Sequence, residues 1–439
     1  MNERELLTSS NLPFFMDFCY CTTQNHIMGK NRYYFGQSTL GQVLKLIPAS
    51  IITKAVKQTG SDFAVKKFST LNHLYMMCYA VLADVTSLRH VCDGLLAMGE
   101  KLKHVGLDYV APKSTLSDSN KNRDSVVFGQ IYQGLYEYFY PFISDSSTVE
   151  PLLRNAYAVD SSTMSLFKAI LKASGRKSKD GNAKGGIKSH VQIRLLDELP
   201  MNVRYTAGAA NDHEFLKHLI LEKGDIAVFD KAYVDYAQYA MWSDEGIGFV
   251  TREKDNAKSI VLSERELPDD KDFEILVDEE IIKVYKDADN QSKKLVLRRI
   301  VIWSEKHKAQ IVLLTNIFYL EAAQISLLYR KRWRIELLFK QLKQNFPLKY
   351  FLGDNENAIR IQIWCCLIVN LLITVIKLKA GHKKMSYALT VSIIRQHLMS
   401  YINILAYLKC PEGLRAEFKK SYPFRKNYNT QTNIVFNTC

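Results

Sequence analysis

The expected fold depends most on the run Tyr329-Arg330-Lys331-Arg332-Trp333-Arg334-Ile335-Glu336-Leu337-Leu338-Phe339-Lys340-Gln341-Leu342-Lys343. Neither Gly nor Pro occurs from position 322 to position 345, and Pro347 follows as a stop signal, so the sequence predicts one helix. At about 100° per residue, four chemically different side chains share one narrow stripe of this helix: Tyr329, Arg332, Glu336 and Lys343. Leucine and isoleucine side chains share a different face. We therefore expect one face to pack on a core while another presents a carboxylate framed by two cations and a phenol.

A single Glu among cations is typical of a metal site that handles phosphodiesters, and such a Glu needs carboxylate companions. Two short hydrophobic runs end in Asp: residues 155–160 end at Asp160, and residues 225–230 end at Asp230. An unbroken apolar middle predicts a strand buried on both faces, and open α/β sheets place their sites at the carboxyl ends of such strands. We therefore expect Asp160, Asp230 and Glu336 to converge on one site. A solvated helix face is the alternative interpretation of the stripe taken alone.

The four residues of the polar stripe meet the pattern Y-x2-R-x3-E-x6-K without a gap. This pattern resembles the Y-R-E-K signature of DDE transposases of the insertion-sequence-4 group. Asp160, in the context Ala-Val-Asp-Ser-Ser, resembles the first acidic residue of that family. Asp230 resembles the second, including an Asp-x-x-Tyr context that ends at Tyr233. The resemblance extends from about position 36 to about position 376, which is most of the chain.

The resemblance implies an α/β ribonuclease H-like catalytic core with a β-rich insertion, preceded by an all-α N-terminal DNA-binding domain and followed by C-terminal helices. It implies a DNA transposase that binds transposon ends and catalyses metal-dependent strand cleavage and strand transfer, by cut-and-paste through a hairpin intermediate. The catalytic residues would be Asp160, Asp230 and Glu336, which would hold two Mg²⁺ or Mn²⁺ ions per site. The expected partners are transposon ends and target DNA, with a homodimer assembled on the DNA.

Seven residues are candidates for DNA binding: Tyr329, Arg332, Lys343, Tyr233, Trp303, Lys121 and Arg123. The resemblance implies that the first three grip the backbone of the transposon end. Trp303 has two interpretations: a plain core residue, which is favoured, or an aromatic that stacks on a flipped base, as an aromatic on such an insertion does in relatives.

The charge and cysteine content limit the partner and the compartment. A formal net charge of +14 over 439 residues indicates a polyanionic partner, although net charge alone does not distinguish DNA from RNA or an anionic membrane. The eight cysteines contain no C-x-x-C pair, which favours reduced thiols in a cytoplasmic, nucleoid-associated protein. The most apolar run, residues 361–376, is short for a membrane span and contains polar residues, so it predicts a buried core helix and no membrane contact.

Changes in composition divide the chain into regions. They are a poorly ordered arm (1–33), a helical DNA end-binding domain (34–148), a ribonuclease H-like catalytic domain in two pieces (149–247 and 317–378), a β-rich insertion (248–316), and a C-terminal helical region with a basic tail (379–439). Met28 stands just before Gly-Lys-Asn-Arg, and we expect the natural start to be Met28 and the preceding segment to be either an extension of the reading frame or a floppy arm.

Within the end-binding domain, Thr115 and Asp118 resemble a capping box that opens a short polar helix. This helix carries Lys121 and Arg123, and it fits either a helix-turn-helix reader of the major groove or an ordinary linker helix.

The catalytic piece predicts three strands, a helix over residues 213–223 and a fourth strand that ends at Asp230. In a ribonuclease H-like order the first and fourth strands are neighbours. The loop 175–186 should be flexible and cationic, and the insertion should contain strands at 273–277, 281–285, 295–303 and 310–314. A helix over residues 385–407 would cover the core or mediate dimerisation.

Two alternative functions remain at this stage. One is a metal-dependent nuclease that cuts DNA without joining it, and nothing in the sequence excludes it. The other is a DNA-binding regulator derived from a transposase, against which the intact acidic trio counts.

Overall fold

The computed structural model describes residues 36–412 apart from short internal gaps. The gaps are residues 146–150, 166–174, 178–182, 208–209, 255–256, 268–273, 288, 306–307, 349 and 383–384. The predicted arm over residues 1–33, the proposed start at Met28 and most of the basic tail therefore lie outside the described residues.

The helices fall into an N-terminal group, a catalytic group and a C-terminal group. The N-terminal helices are α1 (Thr39–Leu44), α2 (Ala49–Thr59), α3 (Thr70–Leu82), α4 (Leu88–Leu96), α5 (Leu102–Val105), α6 (Lys113–Asn122) and α7 (Val126–Asp145). The remaining α-helices are α8 (Tyr236–Glu245), α9 (Ala322–Lys331), α10 (Trp333–Asn345), α11 (Glu356–Ala380), α12 (Tyr387–Gln396) and α13 (Ile404–Lys409). Serine side chains cap several helix starts, because a Ser oxygen accepts a backbone N–H that the helix leaves unpaired: Ser38, Ser69, Ser87 and Ser386.

The strands form one ten-stranded mixed sheet. They are β1 (Ala156–Ser165), β2 (Gly175–Lys177), β3 (Ala183–Arg194), β4 (Pro200–Ala207), β5 (Ile226–Phe229), β6 (Gly248–Arg252), β7 (Ile260–Glu264), β8 (Glu274–Lys286), β9 (Ser292–Ser304) and β10 (Ala309–Thr315). Their order is β2-β3-β1-β5-β6-β10-β9-β8-β7, and β4 pairs with β3.

The pairing of β1 with β5 confirms the predicted neighbours. The two strands are parallel, and Val159 lies opposite Phe229. Both strands are apolar and buried between the helices, as their unbroken hydrophobic runs predict. Asp160 and Asp230, one residue further along each strand, therefore lie side by side in register at the same end of the sheet. A mixed sheet flanked by helices is consistent with a ribonuclease H-like core.

The strands expected as an insertion continue the same sheet. β6 pairs in parallel with β5, and β10 pairs with β6, so the sheet passes from the catalytic piece into the hairpin of β8 and β9 without a break. The prediction of separate strands at 273–277 and 281–285 is wrong, because β8 runs through the acidic residues between them. Asp278 and Glu279 stay in the strand because Arg298 and Arg299 on the neighbouring β9 pair with them.

The loop 175–186 also departs from the prediction. Its described residues form paired strands, since Gly175, Arg176 and Lys177 lie opposite Gly185, Lys184 and Ala183.

The N-terminal segment is helical, as predicted, and its helices share a core with the catalytic segment. Buried side chains from Leu40 to Leu408 belong to one continuous cluster in which α11 packs on α3 and α7. The predicted capping box at Thr115 is wrong. The helix begins at Lys113 after Pro112, whose fixed φ suits a helix start.

Two predicted helices are shorter than expected. Residues 213–223 contain only a 3₁₀ segment, Asp212–His218, because the Gln192 side-chain amide binds both backbone groups of Ile220 (2.8 and 3.0 Å) and holds the chain extended. The predicted helix over residues 385–407 is divided into α12 and α13. Between them, the carbonyls of Leu398 and Ser400 accept hydrogen bonds from the first turn of α1 (2.9 Å each).

The most apolar segment is α11. It is long and apolar enough to cross a membrane by length and composition, but 83% of its most apolar window is buried inside the protein. It is the central core helix that the sequence predicts.

Candidate active site

The two Asp residues are held at the sheet end by backbone geometry. Asp160 lies within β1, and one of its carboxylate oxygens accepts the N–H of Ser161 (2.7 Å). Asp230 follows β5 directly and caps the 3₁₀ turn Lys231–Tyr233, accepting the N–H of Lys231 (2.8 Å). Both carboxylates are half-buried. Each is therefore fixed close to its own backbone and keeps oxygen lone pairs for other partners.

The predicted single helix over residues 322–345 is instead two helices, α9 and α10, which meet at Arg332. The backbone of Arg332 keeps helical angles (φ −50°, ψ −34°), so the chain continues in nearly the same direction. The turn is tightened because the N–H of Ile335 binds the carbonyl of Arg332, three residues back (3.1 Å). Nothing in the composition of the run marks this joint.

Arg332 connects two of the three predicted catalytic residues. Its Nη2 donates to Glu336 Oε1 at 2.7 Å, and its Nη1 lies 3.6 Å from Asp160 Oδ2. The residue is only 8% exposed. Glu336, on the first turn of α10, is thereby brought to Asp160 through a shared guanidinium. In this arrangement Arg332 faces the carboxylates and would have to release them to reach a DNA phosphate.

Tyr329 connects the third carboxylate to the same helix pair. Its hydroxyl donates to Asp230 Oδ1 at 3.3 Å, and the guanidinium of Arg332 lies over its ring, 5.6 Å from the centroid. Burial, and then the negative charge of Asp230, raise the pKa of Tyr329 to about 12. The phenol therefore keeps its proton at neutral pH and acts as a hydrogen-bond donor.

The carboxylates also affect each other electrostatically. Burial raises the pKa of Asp160 to about 6, and the negative charges of Glu336 and Asp230 act in the same direction. The Ser161 N–H and Arg332 oppose this rise but do not cancel it. The ionised form of Asp160 is thus poorly stabilised by the surrounding protein, which favours the approach of a cation.

A pocket of about 460 Å³ opens beside Asp160 and Glu336. It is lined by Asp160, Ser161, Ser162, Glu336, Phe339, Lys340, Lys343 and Gln344. Lys343 and Lys340 are exposed, so their ammonium groups can meet an anion that enters. The polar stripe expected from the sequence therefore borders an open cavity. Lys340 and Ser162 were not among the predicted site residues. Lys340 lies one helical turn after Glu336, and Ser162 lies two positions after Asp160 along β1.

The donor set suits Mg²⁺ or Mn²⁺, which prefer carboxylate oxygens. Among the residues that the structure describes, no group of three His, Cys, Asp or Glu side chains lies close enough together to hold a metal ion. Arg332 contacts both Asp160 and Glu336, so its guanidinium lies beside two of the three carboxylates, where a metal ion would also bind. Three carboxylates are suitable ligands for a divalent cation. Their spacing in this structure is that of the protein with Arg332 in contact with Asp160 and Glu336.

Two of the predicted DNA-binding residues have buried side chains in this structure. Tyr233 is 1% exposed and packs in the aromatic cluster around Phe229, so its side chain does not reach the surface. The guanidinium of Arg123 turns inward, donates to the carbonyl of Phe68 (2.7 Å) and pairs with Asp62 (3.4 Å). These partners lie far from Arg123 in sequence, which is why periodicity does not reveal them.

Two further predicted DNA-binding residues, Lys121 and Trp303, lie away from the carboxylates and remain candidates. Lys121 is exposed on α6, whereas Asn120 of the same helix is buried and bonds His73 (2.7 Å). Trp303 is half-buried near the end of β9, and its indole N–H donates to Glu305 (3.0 Å). This position is compatible with both interpretations of Trp303.

A second polar cluster lies directly behind Asp160. The hydroxyl of Ser161 and the ammonium of Lys188 both donate to Asp212 Oδ1, at 3.0 and 3.1 Å. The ring of His190 faces the same oxygen at 3.7 Å, and burial lowers the pKa of His190 to about 4. The alternation of Lys188 and His190 on one strand was the available signal. Asp212, which resembled a turn residue, is the member that sequence reasoning missed.

Comparisons with known proteins place this geometry in a family. The chain is 30% identical over 191 residues to transposase y4zB of Sinorhizobium fredii, an alignment that covers 43% of this chain and 53% of the relative. It is 25% identical over 270 residues to a transposase for insertion sequence element IS4SA of Synechocystis, covering 59% of this chain and 70% of the relative. The chain thus spans about half the length of the first relative.

A cryo-EM structure of the piggyBac transposase synaptic complex with hairpin DNA aligns with 92% of this chain and 89% of that chain at 11% identity, with a TM-score of 0.39. Residues 35–108 match a family described only as a domain of unknown function. Residues 151–372, which contain Asp160, Asp230 and Glu336, match the family described as the transposase DDE domain. Because this match spans half of the 439 residues, the chain belongs to the transposase DDE domain family.

Proposed function

We propose that this protein is a DNA transposase of the insertion-sequence-4 group, which binds transposon ends and catalyses metal-dependent strand cleavage and strand transfer. One observation carries the proposal. Asp160 within β1 and Asp230 directly after β5 lie on neighbouring parallel strands, and Arg332 contacts both Asp160 and Glu336. Membership of the transposase DDE domain family supports the same reaction class.

Asp160, Asp230 and Glu336 would hold two Mg²⁺ or Mn²⁺ ions. When bound, such ions supply activation of an attacking oxygen and stabilisation of the charge that develops on the phosphate and the leaving oxygen. The raised pKa of Asp160, about 6, leaves its carboxylate ionised at neutral pH and poorly stabilised by the protein alone. This surplus of negative charge is the property that favours binding of cations there.

The residues around the carboxylates would bind and orient the DNA backbone. Arg332 is proposed to exchange its carboxylate contacts for a phosphate of the transposon end, since a guanidinium can form two parallel hydrogen bonds with either group. Lys343 and Lys340 line the open pocket and would neutralise phosphates that enter it. Tyr329 positions the carboxylate of Asp230 through its one O–H, and it would have to release Asp230 to donate to a phosphate oxygen.

The reaction is proposed to proceed by cut-and-paste. Water is the first nucleophile and releases a 3′-hydroxyl at the transposon end. The 3′-hydroxyl then attacks the opposite strand to form a hairpin, and after the hairpin is opened it attacks the target. Each attack breaks one phosphodiester bond. In the joining steps a new phosphodiester bond forms, and the 3′ oxygen of the broken bond is the leaving group. The protein would act in the cytoplasm at the nucleoid, as a homodimer on DNA.

The test uses a supercoiled plasmid that carries the DNA flanking the reading frame on both sides. With Mg²⁺, we expect nicks at the two outer boundaries, followed by hairpin ends and joined products that contain target DNA. A nuclease would produce nicks but no joined products. A regulator would shift the flanking DNA in a gel and leave it intact. Either of these outcomes contradicts the proposed transposition.

A further inference from the structure

Among the strands that the structure describes, β7 is an open edge of the sheet. It pairs with β8 on one side and ends the strand order. Its residues are exposed along their whole length, including three aliphatic side chains in succession: Ile260 (58% exposed), Val261 (47%) and Leu262 (51%). An exposed hydrophobic edge strand readily pairs with another strand, and proteins usually protect such edges with charges or cover them. This edge carries no charge between positions 259 and 263.

Two rows of hydrophobic side chains, which cross neighbouring strands of the sheet, end at β7. On one face, Val261 lies opposite Ile281, which lies opposite Leu297; the last two are fully buried. On the other face, Ile260 lies opposite Ile282, which lies opposite the exposed Val296. A strand added outside β7 would extend both rows and cover side chains that now face solvent.

The sequence of the edge is complementary to itself. Together with the two residues that precede β7, it reads Lys258-Ser259-Ile260-Val261-Leu262-Ser263-Glu264. If two copies pair antiparallel about Val261, Lys258 lies opposite Glu264 of the partner subunit at both ends. Ser259 lies opposite a serine, Ile260 lies opposite a leucine, and Val261 meets its own copy. Lys258 and Glu264 are both exposed in the single chain.

From this pairing we infer that β7 is a dimerisation strand whose partner is β7 of a second copy of this chain. The contact is isologous, so a single register satisfies both copies at once. Opposite charges directly across an antiparallel pair stabilise it, and like charges in the same place destabilise it. The register with β8 shifts between Val261 and Ser263, so a bulge at Leu262 lies inside the shared stretch, increases the local twist of β7 and keeps the ladder short.

Pairing through the surface of β7 does not depend on catalysis. A dimer formed through β7 would exist before DNA is bound, whereas the proposed function requires assembly only on DNA. Both copies would then be held through the strand farthest along the sheet from the carboxylates of β1 and β5. Failure of one proposal would leave the other standing.

A charge exchange tests the register. In Lys258→Glu, both ends of the pairing would hold Glu opposite Glu, and in Glu264→Lys both would hold Lys opposite Lys. By sedimentation equilibrium of the full chain without DNA, we expect each single variant to raise the dimer Kd at least tenfold. The double variant restores opposite charges and should return within about threefold of wild type. A monomeric wild type, or equal Kd values for all four proteins, overturns the inference.

Disulfide trapping tests the axis of the pair. Opposite residues of an antiparallel pair have Cα atoms about 4.5–5.5 Å apart, which a disulfide can span. In a background with the exposed Cys410 changed to Ser, Val261→Cys should form a covalent dimer under mild oxidation. Lys258→Cys, which lies opposite Glu264 rather than itself, should not. Equal trapping of both variants indicates random collision and overturns the register, as does a failure of Val261→Cys to exceed the background.

Discussion

Two regions of the sheet hold buried charges in opposite ways. In the hairpin of β8 and β9, each buried carboxylate has its own cation: Asp278 pairs with Arg298, and Glu279 pairs with Arg299. At the other region, which we call the carboxylate site (Asp160, Asp230 and Glu336), one guanidinium is shared between two carboxylates. The two arrangements lie in the same sheet, so sheet formation alone does not require the surplus of negative charge at the carboxylate site.

The difference separates structural charge from functional charge. A carboxylate that is paired with its own cation inside the protein has little uncompensated charge for binding a ligand, and its role is structural. A carboxylate whose ionised form is poorly stabilised binds a cation more readily, and strongly perturbed pKa values are concentrated at functional sites. Removing a charge from the hairpin should therefore damage stability, and removing one from the carboxylate site should damage activity.

The largest expected effect is on cleavage. Asp160→Ala, Asp230→Ala or Glu336→Ala should each lower Mg²⁺-dependent nicking by at least about 10³-fold, because each removes a ligand of the ions that stabilise the reacting phosphate. Binding of the flanking DNA should remain largely intact. Glu198→Ala is the matched control, since Glu198 is a half-exposed carboxylate paired with Arg334 at 3.2 Å. Equal losses of DNA affinity and cleavage in all three variants would indicate misfolding instead.

The next effect is on the free energy of unfolding. Arg298→Met leaves the carboxylate of Asp278 buried and unpaired, at a cost of about 3–5 kcal/mol. Both side chains are 2% exposed, and Arg298 holds Asp278 through two hydrogen bonds (2.8 and 2.6 Å). Urea unfolding measures the loss. Arg298→Met with Asp278→Leu removes both charges and should recover more than half of it. If Arg298→Met is as stable as the wild type, the paired charges of the hairpin do not stabilise the fold, and the proposed difference between the two regions is wrong.

A smaller effect of opposite sign is expected at Asp160. Its pKa is raised from 3.8 to about 6, so the folded protein binds the proton more tightly than the unfolded chain, and this contribution to stability is lost as the pH rises from about 4 through 6. Asp160→Asn cannot ionise and should be more stable than wild type at pH 8, by about 1–3 kcal/mol. The gain should disappear near pH 4. Thermal or urea unfolding at the two pH values measures it, and a gain that is equal at both would exclude ionisation as its cause.

The smallest effect is on the salt dependence of DNA binding. Arg332→Ala and Lys343→Ala should each weaken binding and lower the slope of log K against log salt by about one unit, since each loses a phosphate contact. Glu336→Gln nearly preserves shape and removes a metal ligand, so its slope should stay unchanged while cleavage is lost. Binding of the flanking duplex across a salt series provides the measurement. Wild-type slopes for both cation variants would mean that the stripe is only a solvated helix face.

Much of the catalytic half could be predicted because its signals are local. The apolar runs ending at Asp160 and Asp230 are strands on neighbouring positions of the sheet, and the stripe of Glu336 and Lys343 borders the open pocket. Period and run length report local structure directly, so these elements follow from the residues themselves.

Several differences between prediction and structure share one physical cause, which is pairing between residues far apart in the chain. Arg123 turns inward because it pairs with Asp62 and donates to the carbonyl of Phe68. The strand β8 continues through its acidic residues because arginines of β9 pair with them. The joint at Arg332 likewise accompanies contacts with Asp160, which lies on another element. The assignments of domain boundaries and of individual site roles stay predictions.

The most direct measurement counts the divalent ions held by the carboxylate site. Mn²⁺ binding at pH 7.5, followed by electron paramagnetic resonance, should give two ions per chain for the wild type and none for the variant that combines Asp160→Asn, Asp230→Asn and Glu336→Gln. The variant that combines Arg298→Met and Asp278→Leu changes paired charges only, and it should bind Mn²⁺ as the wild type does. If the triple variant binds Mn²⁺ as the wild type does, the surplus charge at the carboxylate site does not serve metal binding, and the central claim is wrong.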